Sequence, residues 1–512
     1  MDGNYLVVLR QYAHTCDVVR LRHFFPATGF TVSYILCEPC GFFFMHRTWF
    51  KWLTVIGCQA LVFALVPAEI APFEHRALLA IFIATIVGSI VQPLPGAAMV
   101  LIGVVELALF RALPIEKALS GYADKYVWMV LAAFFISRAM IQTGLGHRIA
   151  LMLVRLMGRK TLGLGYSLVI TDLVLASFVP STGARSGGII LPIARSVTET
   201  YESRPEDGTQ NRLGTFLMSM LYQCEVILCA TFLTGQAGNL IIRDFASKHA
   251  GIDMNYSIWF VSAIVPALVS LIVIPLMIYK LFPPEIKETP NAVTFAHDEL
   301  KKLGPLGRDE KVLSIVFVAV VILWITSKFH GIDATVIALA GICALLVSAV
   351  LSWRDLTEES HAWEVFVWYG GLVMMATALG ETNIPKLFAE SVGSVTTGMS
   401  WPLALAVLAL VFFYAHYAFA SITAHVTAMF IPFLVVTVAV GAPAGLTVLL
   451  LTYFANLSAG LTHYGTTPAP IYFGLGYVTQ KRWWTIGLIA SVLNIVIWST
   501  IGTAWWKILG WW

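Results

Sequence analysis

Long apolar runs constrain this chain more than any other feature. Eleven stretches, 48–68, 76–91, 97–113, 126–142, 213–245, 255–282, 312–328, 332–352, 364–381, 443–478 and 484–508, approach or exceed the length of a membrane crossing. A helix needs roughly 20 mainly apolar residues to cross the hydrocarbon core. The runs are continuous and do not alternate, which excludes a strand barrel. Two further apolar pairs, 161–195 and 401–441, are broken in the middle by polar residues. They read as re-entrant hairpins, which enter the membrane and leave on the same side. Composition agrees, with 58% hydrophobic and 12% charged residues, where a soluble domain has about half and about a quarter. The expected fold class is an all-α polytopic membrane protein of about eleven transmembrane helices and two hairpins, with the lipid bilayer as its surroundings.

The placement of basic residues orients these spans. Lys and Arg cluster around Arg47 and Lys51, from Arg148 to Lys160, from Lys301 to Lys311, and at Lys481 and Arg482. With eleven spans and two hairpins, all four clusters fall on one face of the membrane. The excess of Lys and Arg marks the cytoplasmic side, so the N-terminus is expected inside and the C-terminus outside. The net charge of +3 says little by itself, and no nucleic-acid partner is expected. Trp505, Trp506, Trp511 and Trp512 read as anchors at the membrane–water interface.

The first 47 residues read as an extension. Residues 1–44 lack the ordered regions of a secretory signal or a transit peptide, and Met45, just before the first span, is an alternative start. The seven cysteines are scattered, and Cys37-Glu-Pro-Cys40 has no partner pair, so no metal site and no cofactor are expected.

The polar segment 283–311 divides the rest into 48–282, one helix and a first repeat, and 312–512, a second repeat. At an offset of 240 positions Val127-Trp128 falls on Val367-Trp368, Ser181 on Ser421, Ala184 on Ala424, Arg185 on His425 and Pro192 on Pro432. All matches share one register. Each half holds five spans and one hairpin, an odd number of crossings, so the second copy is inverted. Inverted repeats are an architecture of secondary transporters, whose substrates bind near the midplane at broken helices.

Both halves supply such breaks. Pro180–Pro192, PSTGARSGGIILP, and Ser421–Pro432 lie at the hairpin tips; Thr234–Asn239 interrupts 213–245 and Thr462–Pro468 interrupts 443–478. Irregular backbone at membrane depth persists only where protein or a wet cavity satisfies it. Hydroxyls, free amides and helix N-termini together make an anion site. Glycines that merely allow tight helix packing are the other reading. The candidate substrate residues are Ser181, Thr182, Gly183, Gly235, Ser421, Thr423, Gly465, Thr466 and Thr467, with Asn239 and His463 as further candidates.

These motifs carry a resemblance. STGARSGGIILPI at 181–193 and LTHYGTTPAPIYFGLGY at 461–477 resemble the divalent-anion/sodium symporter family, in its branch of 2-oxoglutarate/malate translocators and citrate/succinate exchangers. The similarity runs from about residue 48 to the C-terminus. It implies a scaffold domain that forms a homodimer and a transport domain that moves as an elevator. It also implies dicarboxylate anions as substrate, and the inner membrane of a bacterium as the location.

The chain departs from that family where Ser181-Thr182-Gly183 and Ser421-Ile422-Thr423 stand in place of paired Ser-Asn-Thr motifs. In sodium-coupled members the missing asparagines, with nearby carbonyls, help hold sodium. Arg185 and His425 lie close by and are expected to supply the positive charge in its place, since a guanidinium stays protonated and an imidazole protonates near neutrality. The expected activity is one-for-one, sodium-independent dicarboxylate exchange; sodium-coupled symport of di- or tricarboxylates is the alternative. For Arg185 the competing reading is a buried salt bridge with an intramembrane acid such as Asp172 or Glu225, for His425 simple packing, and for His463 a hydrogen bond within the broken helix. An intramembrane enzyme is remote, for H-E-x-x-H, P-loop and G-x-S-x-G motifs are all lacking.

Overall fold

The computed structural model describes residues 18–24, 31–69, 71–382, 384, 400–419 and 421–512. Of the extension, 1–17 and 25–30, with Cys16, lie outside the described residues. Its described part contains an antiparallel ribbon, β1 (Val18–Phe24) against β2 (Thr31–Cys37), in register from Val18–Cys37 to Phe24–Thr31. These are the only two strands among the described residues, and everything beyond them is helical. The first helix, α1 (Glu38–Leu65), runs without a break from the extension through the first expected span.

Helices α2 (Phe73–Val91), α3 (Gly96–Leu109) and α4 (Lys125–Thr143) follow. Asp124 starts α4 by accepting the Tyr126 amide at 2.8 Å, and Gly144 ends it at φ 73°, a left-handed position that glycine takes without strain. The chain then turns into α5 (Leu145–Met157), which carries His147, Arg148 and Arg155.

The first hairpin pairs α6 (Thr161–Ala176) with a continuous second arm formed by Gly183–Ile190 and α7 (Leu191–Thr200). Gly183–Ile190 is wound as a π-helix, a widened turn common at functional sites. Next come α8 (Gly214–Thr231) and α9 (Gly238–Ala250), separated by the expected break. Every residue of α8 is buried, including the polar Ser219, Gln223 and Glu225, so the helix lies inside protein on all sides. Then α10 (Tyr256–Leu281) begins at Asn255, whose side chain accepts the Ile258 amide at 3.0 Å.

The polar segment 283–311, which links the two halves, is packed as a strap. It contains α11 (Pro290–Leu303), which buries Ala292 and Ala296. The backbone ahead of it is stitched to the base of the first hairpin: Thr161 donates to Lys287 O at 3.0 Å, and Thr289 to Arg159 O at 2.7 Å. Arg148 completes the strap from α5, bridging Glu310 at 2.6 Å and donating to Gly304 O at 2.8 Å.

In the second half, α12 (Arg308–Ile325), α13 (Ala334–Val347) and α14 (Ser360–Gly380) precede the second hairpin, α15 (Trp401–Ala415) and α16 (Ile422–Ala439). A second broken helix follows, α17 (Ala444–Leu457) and α18 (Pro468–Gly474), then α19 (Gln480–Ile497), extended to Ile508 by a π turn and a last helical segment. Helices α2, α3, α4, α13 and α14 pack on one another, while the hairpins gather around α8 and α17, which touch. Tips and breaks thus meet in the interior. Eight helices among the described residues are long and apolar enough to cross a bilayer alone, and five more apolar helices are shorter. The short ones include α3, α6 and α17, and at the breaks neighbouring protein completes the crossing.

Candidate functional site

A cavity of about 390 Å³ opens where the two halves meet, within the usual 300–1,000 Å³ of a small-molecule site. Four breaks converge on it. The first tip brings Ser181, Thr182 and Gly183, and the second Ser421, Thr423 and Ala424. The first broken helix contributes Gln236 and Ala237, and the second Thr466 and Thr467. The opposite wall comes from α2, α3 and α14, with Ser89, Gln92, His361, Glu364 and Trp368 among its residues.

The local geometry follows from the sequence. At the first tip Ser181 Oγ accepts the Ala184 amide at 3.2 Å, and Ser181 O accepts the Arg185 amide at 3.0 Å. This is the cap expected of a serine at a helix start. Each tip leans on the broken helix of the other half. A methyl group placed on Gly183 would touch Thr467 Cγ2 at 3.5 Å, and one on Gly238 would stand 3.2 Å from Thr423 Oγ1. The π-helix at Gly183, α9 at Gly238 and α16 at Ile422 therefore start beside one space. The Gly238 amide is already taken by Gln236 Oε1 at 2.7 Å, so what favours a carboxylate here is the set of hydroxyls together with the positive ends of the helices. No Lys or Arg lines the cavity among the described residues.

Arg185 was expected to face the anion, and the structure places it behind the first tip, fully buried. Its Nε donates to Asp172 Oδ1 at 2.5 Å, and Nη1 to the carbonyls of Val179 at 3.0 Å and Gly235 at 2.8 Å. Glu225 Oε1 lies 3.7 Å from Nη2. The guanidinium is thus held by a carboxylate and two carbonyls and is not an unpaired charge, because Asp172 one helix away reaches it first. Gly235 is corrected with it. Its carbonyl belongs to Arg185 and its amide donates to Phe232 O at 2.8 Å, so no free amide remains there for a substrate. The Gly465 carbonyl is likewise turned away, onto His416 Nε2 at 3.0 Å.

His425 is also fully buried and outside the cavity wall. Its ring packs against Phe412 at 4.4 Å, His416 at 5.1 Å and Phe419 at 5.3 Å, and neither ring nitrogen has a hydrogen-bond partner among the described residues. His463 accepts the Trp484 indole N–H at 3.1 Å, a contact within the second half.

Asn239 serves the backbone. Its Nδ2 donates to Cys229 O at 2.7 Å and Phe232 O at 2.9 Å, while Oδ1 accepts from Gln236 at 2.8 Å and Asn456 at 2.9 Å. This amide trio joins α8, α9 and α17 across the repeat boundary. Gln236, Asn456 and His416 escaped the sequence reading. Gln236 stands inside a quoted motif, so the break itself was the available signal. Asn456 and His416 sit in apolar helical runs, where a lone polar residue is the only hint.

Comparison with known proteins shows the family of the chain. The family model for the sodium:sulfate symporter transmembrane region matches residues 46–512. A putative malate transporter, YflS of Bacillus subtilis, is 47% identical over 462 residues, covering 90% of this chain and 96% of that protein. The chloroplastic dicarboxylate transporter 1 of Arabidopsis thaliana is 41% identical, covering 85% of this chain and 78% of its own. The L-tartrate/succinate antiporter of Shigella sonnei is 30% identical, over 89% of this chain and 98% of its own.

Proposed function

Because the chain belongs to the family of the sodium:sulfate symporter transmembrane region, and is a transporter, we propose that it exchanges dicarboxylates of the 2-oxoglutarate/malate type one for one, without sodium. The observation that carries the sodium-free part is the setting of Arg185. Two backbone carbonyls and a carboxylate converge on its guanidinium. Such an oxygen cluster beside an anion site suits a cation, and here a cation that is permanently tethered fills it. The dicarboxylate reading is supported by the hydroxyls and helix starts around the cavity and by the malate and dicarboxylate transporters among the relatives.

Exchange follows from what an empty cavity leaves behind. With no anion present, the hydroxyls and amides of four breaks lose their partner when the site closes. Each unpaired buried donor costs about 1–3 kcal/mol, and every ~1.4 kcal/mol slows a crossing tenfold. A symporter relieves its empty site by releasing cations. Arg185 stays paired with Asp172 whether or not an anion is bound, so nothing leaves the site, and only a new dianion takes up the donors left open. The same reading places the protein in a bacterial inner membrane, N-terminus in the cytoplasm, as a homodimer with an elevator movement of the hairpins and broken helices against α2–α4 and α12–α14.

Purified protein in liposomes tests this. Vesicles preloaded with malate should take up labelled 2-oxoglutarate at the same rate when choline replaces sodium, and empty vesicles should take up little. Strict sodium dependence would establish the symport alternative. Equal uptake into empty vesicles would rule out obligate exchange.

A further inference from the structure

In the first broken helix, the chain leaves α8 at Thr231 and resumes at Gly238. The carbonyl of Gly235 is pinned by Arg185, and the next two residues, Gln236 and Ala237, line the cavity. In the second, the chain leaves α17 at Leu457 and resumes at Pro468. The carbonyl of Gly465 is met by His416 Nε2 at 3.0 Å, and the next two residues, Thr466 and Thr467, line the cavity. Both glycines are pressed onto the last turn of the helix they leave. A Cβ on Gly235 would come within 2.7 Å of Cys229 O, and one on Gly465 within 2.7 Å of Ala459 O. The two breaks are therefore built alike, a crowded glycine whose carbonyl is held from the neighbouring hairpin, followed by two cavity residues.

From this we infer that His416 is the positioning residue of the second half of the site. Its Nε2–H holds the Gly465 carbonyl and thereby aims Thr466 and Thr467 at the substrate carboxylate; the carboxylate itself rests on the dicarboxylate reading above. A carbonyl only accepts, so Nε2 carries the hydrogen. Residues of a broken helix lack the i→i−4 bonds that fix a regular one, so a few contacts set their direction: Thr466 Oγ1 donates to Tyr222 Oη and accepts the Ala469 amide, each at 3.3 Å, and His416 holds the carbonyl just ahead of them. His416 is 1% exposed, so water does not compete for that carbonyl. The repeat register pairs Arg185 with His425, yet the contact comes from His416 on the first arm of the second hairpin. An imidazole is too short to reach as a guanidinium does, and the holding group has moved to the arm that lies nearer. His425 packs on His416 at 5.1 Å and backs it.

His416→Phe keeps a ring and removes the donor; His416→Gln restores an amide N–H at similar reach. Both are measured in liposomes for exchange of labelled malate, and in detergent for amide hydrogen exchange over residues 462–470. H416F should raise the KM about five- to tenfold, as for the loss of one buried hydrogen bond, with a nearly unchanged maximal rate and faster hydrogen exchange at Thr466 and Thr467. H416Q should return both within about twofold of wild type, on the same scale. His416→Asn, whose amide falls short of the carbonyl, repeats the loss if H416F folds poorly. Wild-type KM and protection in H416F, or an H416Q as impaired as H416F, would overturn the assignment. If the wild-type protein exchanges no dicarboxylate, the substrate reading fails, while the hydrogen-exchange arm, which needs no substrate, still decides His416.

Discussion

The two hairpin tips carry basic residues in equivalent registers and treat them differently. Behind the first, Arg185 meets Asp172, two carbonyls and, more distantly, Glu225 and the Cys229 thiol at 3.8 Å, so that each of its three nitrogens has a partner. Behind the second, among the described residues, His425 has no hydrogen-bond partner, and His416 uses one nitrogen on Gly465 and leaves Nδ1 without one. A guanidinium offers five donors in a fixed fork, an imidazole two nitrogens on a short stem. The guanidinium behind the first tip is therefore fully bonded, although Glu225 Oε2 beside it has no partner among the described residues, and the imidazoles behind the second are under-bonded. Buried polar atoms without partners are uncommon and call for an explanation. Here the bare imidazoles leave the second tip the more easily altered half of the site.

The sharpest way to break this comparison is to cut the first cluster. Arg185→Ala leaves Asp172 buried without a counter-charge, and breaking a buried pair from one side costs roughly 3–5 kcal/mol. The variant should lose exchange entirely and unfold at a clearly lower temperature in detergent, read by thermal denaturation. Arg185→Ala with wild-type stability would mean that Asp172 finds another partner, and the two tips would then be alike.

Next in size are the hydroxyls facing the cavity, where both tips should behave the same. On the proposed reading Ser181→Ala and Thr423→Ala each remove a hydrogen bond to an anion, worth roughly 1.5–3 kcal/mol. Exchange should show affinity weakened about tenfold or more in each, with thermal stability kept in Thr423→Ala and lowered in Ser181→Ala only by the lost cap, about 1 kcal/mol. A change at one tip only would show that the substrate leans on one half of the cavity.

His425→Phe probes the under-bonded side. Its ring nitrogens make no hydrogen bond among the described residues, so replacement by an apolar ring of similar shape should leave stability within about 1 kcal/mol or raise it. If the imidazole serves the anion, as the repeat register proposes, exchange should drop about tenfold, on the scale of one charge-assisted bond. Full exchange would confine the cationic role to Arg185. The smallest effect is expected at His463, which meets Trp484 away from the cavity wall. His463→Ala should cost about 1 kcal/mol of stability or less and leave exchange within twofold of wild type, on the same measurements.

Much of the site was legible in sequence for local reasons. Polar residues amid membrane-length apolar runs must be satisfied somewhere, so Ser181, Thr182, Ser421, Thr423, Thr466 and Thr467 stood out without any knowledge of packing. All of them line the cavity. The glycines were harder, because a glycine in a break supplies either an amide or a carbonyl to the interior. At Gly235 and Gly465 it is the carbonyl that is used. The strap at 283–311 was invisible for a related reason. Its helix α11 is polar and short, and what orders it is backbone pairing with Lys160, Thr161 and Arg159, far away in sequence.

The sequence by itself determined that the chain is a bundle of membrane-length helices, broken at four places by polar motifs in two related halves. Those properties depend on apolar length, residue type and spacing, all of which are local or periodic. Only the tertiary structure decided which partner each buried polar atom takes. Arg185 could face substrate or Asp172, and the register could pair it with His425; the choice depends on distances between α6, α8 and the first tip, and on the reach of each side chain. In an interior with no water to fall back on, a group bonds to whatever lies within about 3 Å, and that is a property of packing.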